Sequence, residues 1–165
     1  MQPLILTLLL DPMSQTRFDA LRRAHFPPER NHLAAHVTLF HALPGEQEEQ
    51  VRADLAEVAR RERYRVRVHR VRSLGRGVAY DLRSDVLAVQ RAELARRWAP
   101  WLTPQDAGKR EAHVTVQNKV QPSAARALLA ELSAGFAAYD VTATGLGLWR
   151  YLGGPWEQVA AEAFD

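Results

Sequence analysis

Residues 35–42 read AHVTLFHA and residues 112–119 read AHVTVQNK. Each run pairs a histidine with a threonine two positions on, and in a strand residues two apart share a face. His36 and Thr38 therefore project together, in line with Phe40, while Val37, Leu39 and His41 take the other side. In the second run His113, Thr115, Gln117 and Lys119 share one face, and Val114, Val116 and Val120 face the core. Phe40, Gln117 and Lys119 are thus candidate substrate contacts beside the two His-Thr pairs. Shuffling the chain produces His-apolar-Thr-apolar about 0.05 times, so two copies arise by chance roughly once in several hundred shuffles.

The flanks of the two runs repeat as well. An apolar strand (residues 3–10) leads through Asp11-Pro12 into a helix ending near His25, where Phe26-Pro27-Pro28 stops it. The first His-Thr strand follows, and then a helix from about Glu46 to Arg61. Residues 64–72 (YRVRVHRVR) alternate as a half-exposed strand does, and Gly75-Arg76-Gly77 turns them into a second strand, 78–83, giving an antiparallel hairpin. The order then recurs: a helix over 85–98, a Pro/Gly-bearing loop, the second His-Thr strand over 112–120, and a helix over 123–136. Closing strands lie near 141–151 and 156–164, around the turn Gly153-Gly154-Pro155.

A repeated order at this scale marks an internal duplication. The expectation is an α+β fold of two lobes, approximately residues 1–75 and 76–165 with strand exchange possible, forming one domain over 1–165. Each lobe is expected to be an antiparallel sheet with helices outside. A pseudo-two-fold axis then sets equivalent residues facing each other across one cleft, so that the histidines meet.

Composition bounds the chemistry. The 165 residues, 47% hydrophobic and 25% charged, are enough for an ordinary globular core. With no cysteine in the chain, thiolate zinc sites, disulfides and a cysteine nucleophile are excluded. The basic excess is small, 22 Lys+Arg against 19 Asp+Glu, but apart from Lys109 and Lys119 it is all arginine, whose planar fork suits phosphate oxygens. The apolar run at the start is too short to span a bilayer and lacks the flanks of a signal peptide. A monomer in the cytoplasm, without membrane partner, cofactor or metal, is expected. His32 and His36 stand four apart, but in a loop and strand with no carboxylate cluster to complete a metal site.

A lone strand histidine is usually a satisfied, half-buried residue; a symmetric pair is a different matter. Two imidazoles titrating near neutral pH can serve as base and acid in one reaction, and two hydroxyls can donate to a phosphoryl oxygen without adding charge. HVTL at 36–39 and HVTV at 113–116, one in each half, resemble the paired H-x-T-x motifs of the two-histidine (2H) phosphoesterases, which include the 2'-5' RNA ligase-like proteins. The closing stretch LGLWRYLGGPWEQVAAEAF is also similar to that family's terminal hairpin.

The resemblance implies that His36 and His113 are the acid-base pair and that Thr38 and Thr115 hold the phosphate, without metal. It further implies a hydrolase of 2',3'-cyclic phosphate RNA ends or small cyclic phosphodiesters. The alternatives are 2'-5' RNA ligation and a non-catalytic RNA- or nucleotide-binding module. No lysine or aromatic platform for long RNA is evident.

Overall fold

The structure, a computed structural model, describes residues 1–108 and 111–165. Its elements run β1 (Leu4–Leu10), α1 (Pro12–His25), β2 (Val37–Leu43), α2 (Glu48–Val58), β3 (Tyr64–Ser73), β4 (Val78–Arg83), α3 (Asp85–Arg97), α4 (Pro104–Ala107), β5 (Ala112–Gln117), α5 (Pro122–Ala134), β6 (Tyr139–Tyr151) and β7 (Trp156–Ala163). Among the described residues no helix is long and apolar enough to cross a membrane.

Helix starts follow local chemistry. Asp11 caps α1 by accepting from the Ser14 amide at 2.9 Å, with Pro12 supplying the first helical residue. Ser84 caps α3 through the Leu87 amide at 3.1 Å. The short α4, capped by Thr103, stands where the sequence predicted only a loop.

The expected pair of separate sheets is not what forms. The strands make one sheet in the order β1-β2-β5-β4-β3-β6-β7, and β1 also pairs with β6, so six antiparallel strands close a ring and β7 hangs from its edge. The closing element is the 13-residue β6, which pairs with β3 over Tyr139–Ala143 and with β1 over Ala143–Arg150. One strand therefore serves both lobes, which two independent sheets do not allow. Opposite this long closure the ring is narrow: β2 and β5 share the single pairing Val37–Val114.

Both valines are buried, at 0% and 1% exposure, on the outer side under α1, whose Phe18 is equally buried. Full burial of such side chains contributes about 1.5–3 kcal/mol each. Helices also cross between the halves. Arg22 of α1 donates to the Thr115 carbonyl on β5 at 3.1 Å, and Arg91 of α3 donates to the Leu39 carbonyl on β2 at 3.1 Å. Each half thus sends an arginine to brace the His-Thr strand of the other.

Candidate active site

The Val37–Val114 pairing sets the geometry. In an antiparallel pair, continuing the register one residue either way puts His36 across from Thr115 and Thr38 across from His113, with opposed side chains on the same face. All four residues are half-buried and, alternating with the outward valines, face the inside of the ring. The imidazoles are close enough that charge on His113 disfavours charge on His36. One pairing thus brings together His36, Thr38, His113 and Thr115.

Phe40, Gln117 and Lys119 do not join them. On β2 the partners of β1 step from Thr7–Thr38 to Leu6–Phe40, so Leu39 is an extra residue; on β5 the partners of β4 step from Ala79–Thr115 to Val78–Gln117, so Val116 is extra. A β-bulge stands at the fourth motif position in both halves, and a bulge breaks strict alternation. Phe40 accordingly goes to the core at 0% exposure, edge-on to Trp98 at 5.2 Å and beneath the Arg91 guanidinium at 4.4 Å. Gln117 is 7% exposed and its Oε1 has no hydrogen-bond partner among the described residues. Lys119 lies past the end of β5, in a left-handed turn at φ 63° with its amide on the Asn118 side chain.

His36 is held from three directions. Its Nδ1 lies 2.8 Å from the Ala34 carbonyl, which can only accept, so Nδ1 carries the hydrogen and a neutral ring leaves Nε2 bare. The preceding residue is latched to α1: Asp19 accepts from the Ala35 amide at 2.8 Å, and Gln15 donates to the Ala35 carbonyl at 2.8 Å and to Asp19 at 3.0 Å. The Trp156 ring lies against the imidazole, centroids 4.6 Å apart.

Trp156 neighbours Trp149 at 6.1 Å, and the Trp149 indole donates to Thr7 Oγ1 at 2.9 Å. This fold-over needs Gly147, where a Cβ would lie 3.1 Å from both the Thr7 hydroxyl and the Trp149 nitrogen. The two tryptophans form an aromatic wall that the sequence reading missed; their positions either side of the Gly153-Gly154-Pro155 turn were the available signal.

Burial pushes the His36 imidazole below its ordinary range, and the nearby charges of Arg22 and His113 push it the same way, against the Ala34 bond. Arg22 is itself only 5% exposed, bound to Asn31 and Thr115 and lying over the Phe26 ring at 4.1 Å.

Below Thr38 and His113 a cavity of about 80 Å³ is also lined by His41, Arg91, Asp106 and Glu111. The 4%-exposed Asp106 carboxylate accepts from the His41 and Ala42 amides at 3.0–3.1 Å and meets His41 Nδ1 at 2.8 Å, so α4 secures β2 just beyond its bulge. His69 on β3 is paired with Glu111. Among the described residues no group of three or more His, Asp or Glu is positioned to hold a metal ion.

Across residues 10–155 the chain matches the model of the 2'-5' RNA ligase superfamily, and it belongs to that family, within the 2H phosphoesterases. Its fold matches Escherichia coli LigT crystallised with 3'-AMP (TM-score 0.62, 17% identity, 99% of this chain and 98% of that one). It also matches a structure described as a phosphoesterase (0.64, 16%, 99% and 98%) and TT0787 of Thermus thermophilus (0.65, 13%, 98% and 97%). No curated protein matches it in sequence. Membership supports an enzyme of phosphoesterase or ligase-like activity.

Proposed function

We propose that this chain hydrolyses 2',3'-cyclic phosphate ends of RNA, or related small cyclic phosphodiesters, with His36 as base and His113 as acid. The observation that carries the reading is the antiparallel Val37–Val114 pairing, which sets each histidine across from the other strand's threonine. A phosphate between the strands meets an imidazole and a hydroxyl from each side.

The assignment of roles rests on His36. A base must be neutral before reaction, and burial, Arg22 and His113 all favour the neutral ring, with its free nitrogen opposite the Nδ1–Ala34 bond. His36 removes a proton from water as the water oxygen bonds to phosphorus. The bond from phosphorus to one ribose oxygen breaks, and His113 protonates that oxygen, leaving a phosphomonoester. Thr38 and Thr115 donate to the non-bridging oxygens, where charge builds. Escherichia coli LigT has been crystallised with 3'-AMP, phosphate, ATP and NADP+, ligands that all present phosphate oxygens, and this supports an anion pocket in the shared fold.

The family's name favours one second reading, 2'-5' ligation, in which the same groups act in the reverse direction on a 2'-5' bond. End-labelled RNA bearing a 2',3'-cyclic phosphate tests both: hydrolysis opens the ring at constant chain length, whereas ligation lengthens the chain. Neither change, together with tight nucleotide binding, would leave a non-catalytic binding module.

A further inference from the structure

The row of cross-strand partners that holds Thr38 and His113 continues around the ring. His113 on β5 is opposite Asp81 on β4, and Asp81 is opposite Arg70 on β3. One step along, Thr115 is opposite Ala79, and Ala79 opposite Arg72. Opposed residues share a face, so Asp81, Arg70 and Arg72 lie on the same inner surface as His113 and Thr115.

Asp81 is wholly buried, with 0% exposure, in the apolar run of β4. Arg70 reaches it through Nε at 2.8 Å and Nη2 at 2.7 Å, and Arg72 through Nε alone, at 2.9 and 3.0 Å. One bidentate arginine neutralises a buried carboxylate; here there are two, leaving one positive charge in excess. Their side chains remain 55% and 36% exposed, so both arginines stay accessible from solvent while they are held on Asp81.

Among the described residues, the neighbouring carboxylates are engaged with other cations. Asp140 is held by Arg67 at 3.2 Å, and Glu111 by Arg83 at 3.2 Å and by His69. Anchored at Asp81, the two guanidiniums are already ordered, which removes much of the entropic cost of gripping an anion. The backbone of Arg70 lies two strand spacings from that of His113, about 10 Å, and both side chains reach inward to shorten the gap.

We propose that Arg70 and Arg72, clamped on Asp81, form a second anion subsite that takes a phosphate on the 5' side of the ribose whose 2',3'-phosphate lies between the histidines. The inference rests on the function proposed above and narrows it to a substrate class: nucleotides that carry a further phosphate, over bare nucleoside cyclic phosphates. That phosphate is either a terminal 5'-phosphate or the next linkage of an RNA chain.

Calorimetric titration of the full chain with 3'-AMP, with adenosine 3',5'-bisphosphate and with an adenosine dinucleotide ending in a 3'-phosphate tests it. The bisphosphate, the dinucleotide or both should bind at least about tenfold tighter than 3'-AMP, the scale of a charge-assisted hydrogen bond. Which of the two gains tells a terminal phosphate from a chain phosphate. The preference should shrink in R70Q and R72Q, each of which leaves one guanidinium on Asp81. It should vanish in R70Q/R72Q/D81N, which avoids stranding a buried carboxylate and whose folding is checked by its circular-dichroism melt.

Equal binding of all three ligands by the parent chain, or a preference that survives in the folded triple variant, overturns the subsite. If adenosine 2',3'-cyclic phosphate is turned over while the affinities are equal, the subsite alone fails. A preference without turnover retains the subsite and removes the hydrolytic reading, and no binding of any ligand removes both.

Discussion

The two His-Thr strands share a backbone and differ in what surrounds it. Each has a bulge at its fourth motif position, each leaves the ring's inner face just beyond it, and each is braced by an arginine from the other half. Yet His36 is set among an indole, a backbone carbonyl and the nearby charge of Arg22, whereas His113 stands across from a carboxylate clamped by two arginines. Duplication accounts for the shared geometry; divergence of the supporting residues gives the halves different electrostatics, the ground for the different tasks proposed for the two histidines.

The comparison breaks most directly at the histidines. H36A and H113A are each expected to lower kcat for a 2',3'-cyclic phosphate by about two to four orders of magnitude, the usual scale for a general acid or base. The double variant should be little worse than the poorer single one, because the pair acts as a unit. Near-full activity in either single variant would remove that residue from the mechanism.

The threonines test whether the symmetry extends to the phosphate. T38V and T115V should each lower kcat/KM by about tenfold, the scale of one hydrogen bond to a charged group, and by similar factors. A loss confined to one of them would place the phosphate off centre.

Turnover against pH sharpens the difference between the halves. Only a neutral base with a protonated acid is productive, so the profile should be a bell whose limbs belong to the pair. With His36 as base, its depressed ionisation sets the acid limb below the ordinary imidazole value of about 6.5. Removing the neighbouring positive charge makes protonating His36 easier, so R22M should raise the acid limb and leave the alkaline limb in place. A shift confined to the alkaline limb would exchange the two roles. The smallest expected effect is that of EDTA: with imidazoles supplying both proton transfers, kcat should be unchanged, and a chelation loss restored by zinc or manganese would contradict the scheme.

Much of this site could be read from the chain. AHVTLFHA and AHVTVQNK give the partner residues through simple alternation, and the repeated element order gives their opposition. What stayed hidden depends on contacts distant in sequence. Nothing local in Leu39 or Val116 marks a bulge, because the extra residue exists only relative to a partner strand, and so alternation alone puts Phe40 and Gln117 on the wrong face. Ring closure was equally hidden, since the length of β6 does not say that its two ends pair with different lobes. Asp81 reads as a polar interruption between Tyr80 and Leu82 until the β3–β4 register brings Arg70 and Arg72 onto it.

The narrow seam at Val37–Val114 has a consequence for what substrate recognition can be built from. A phosphate straddling that seam lies on the approximate symmetry axis relating the halves, and its two non-bridging oxygens are nearly interchangeable, so matched hydroxyls from either side suit it. A sugar and base are not interchangeable about any such axis; they extend to one side only. Residues that read them cannot come in matched pairs, so on the proposed function selectivity among nucleotides would reside where the halves have drifted apart: the Trp149–Trp156 wall beside one histidine and the Arg70–Asp81–Arg72 clamp beside the other.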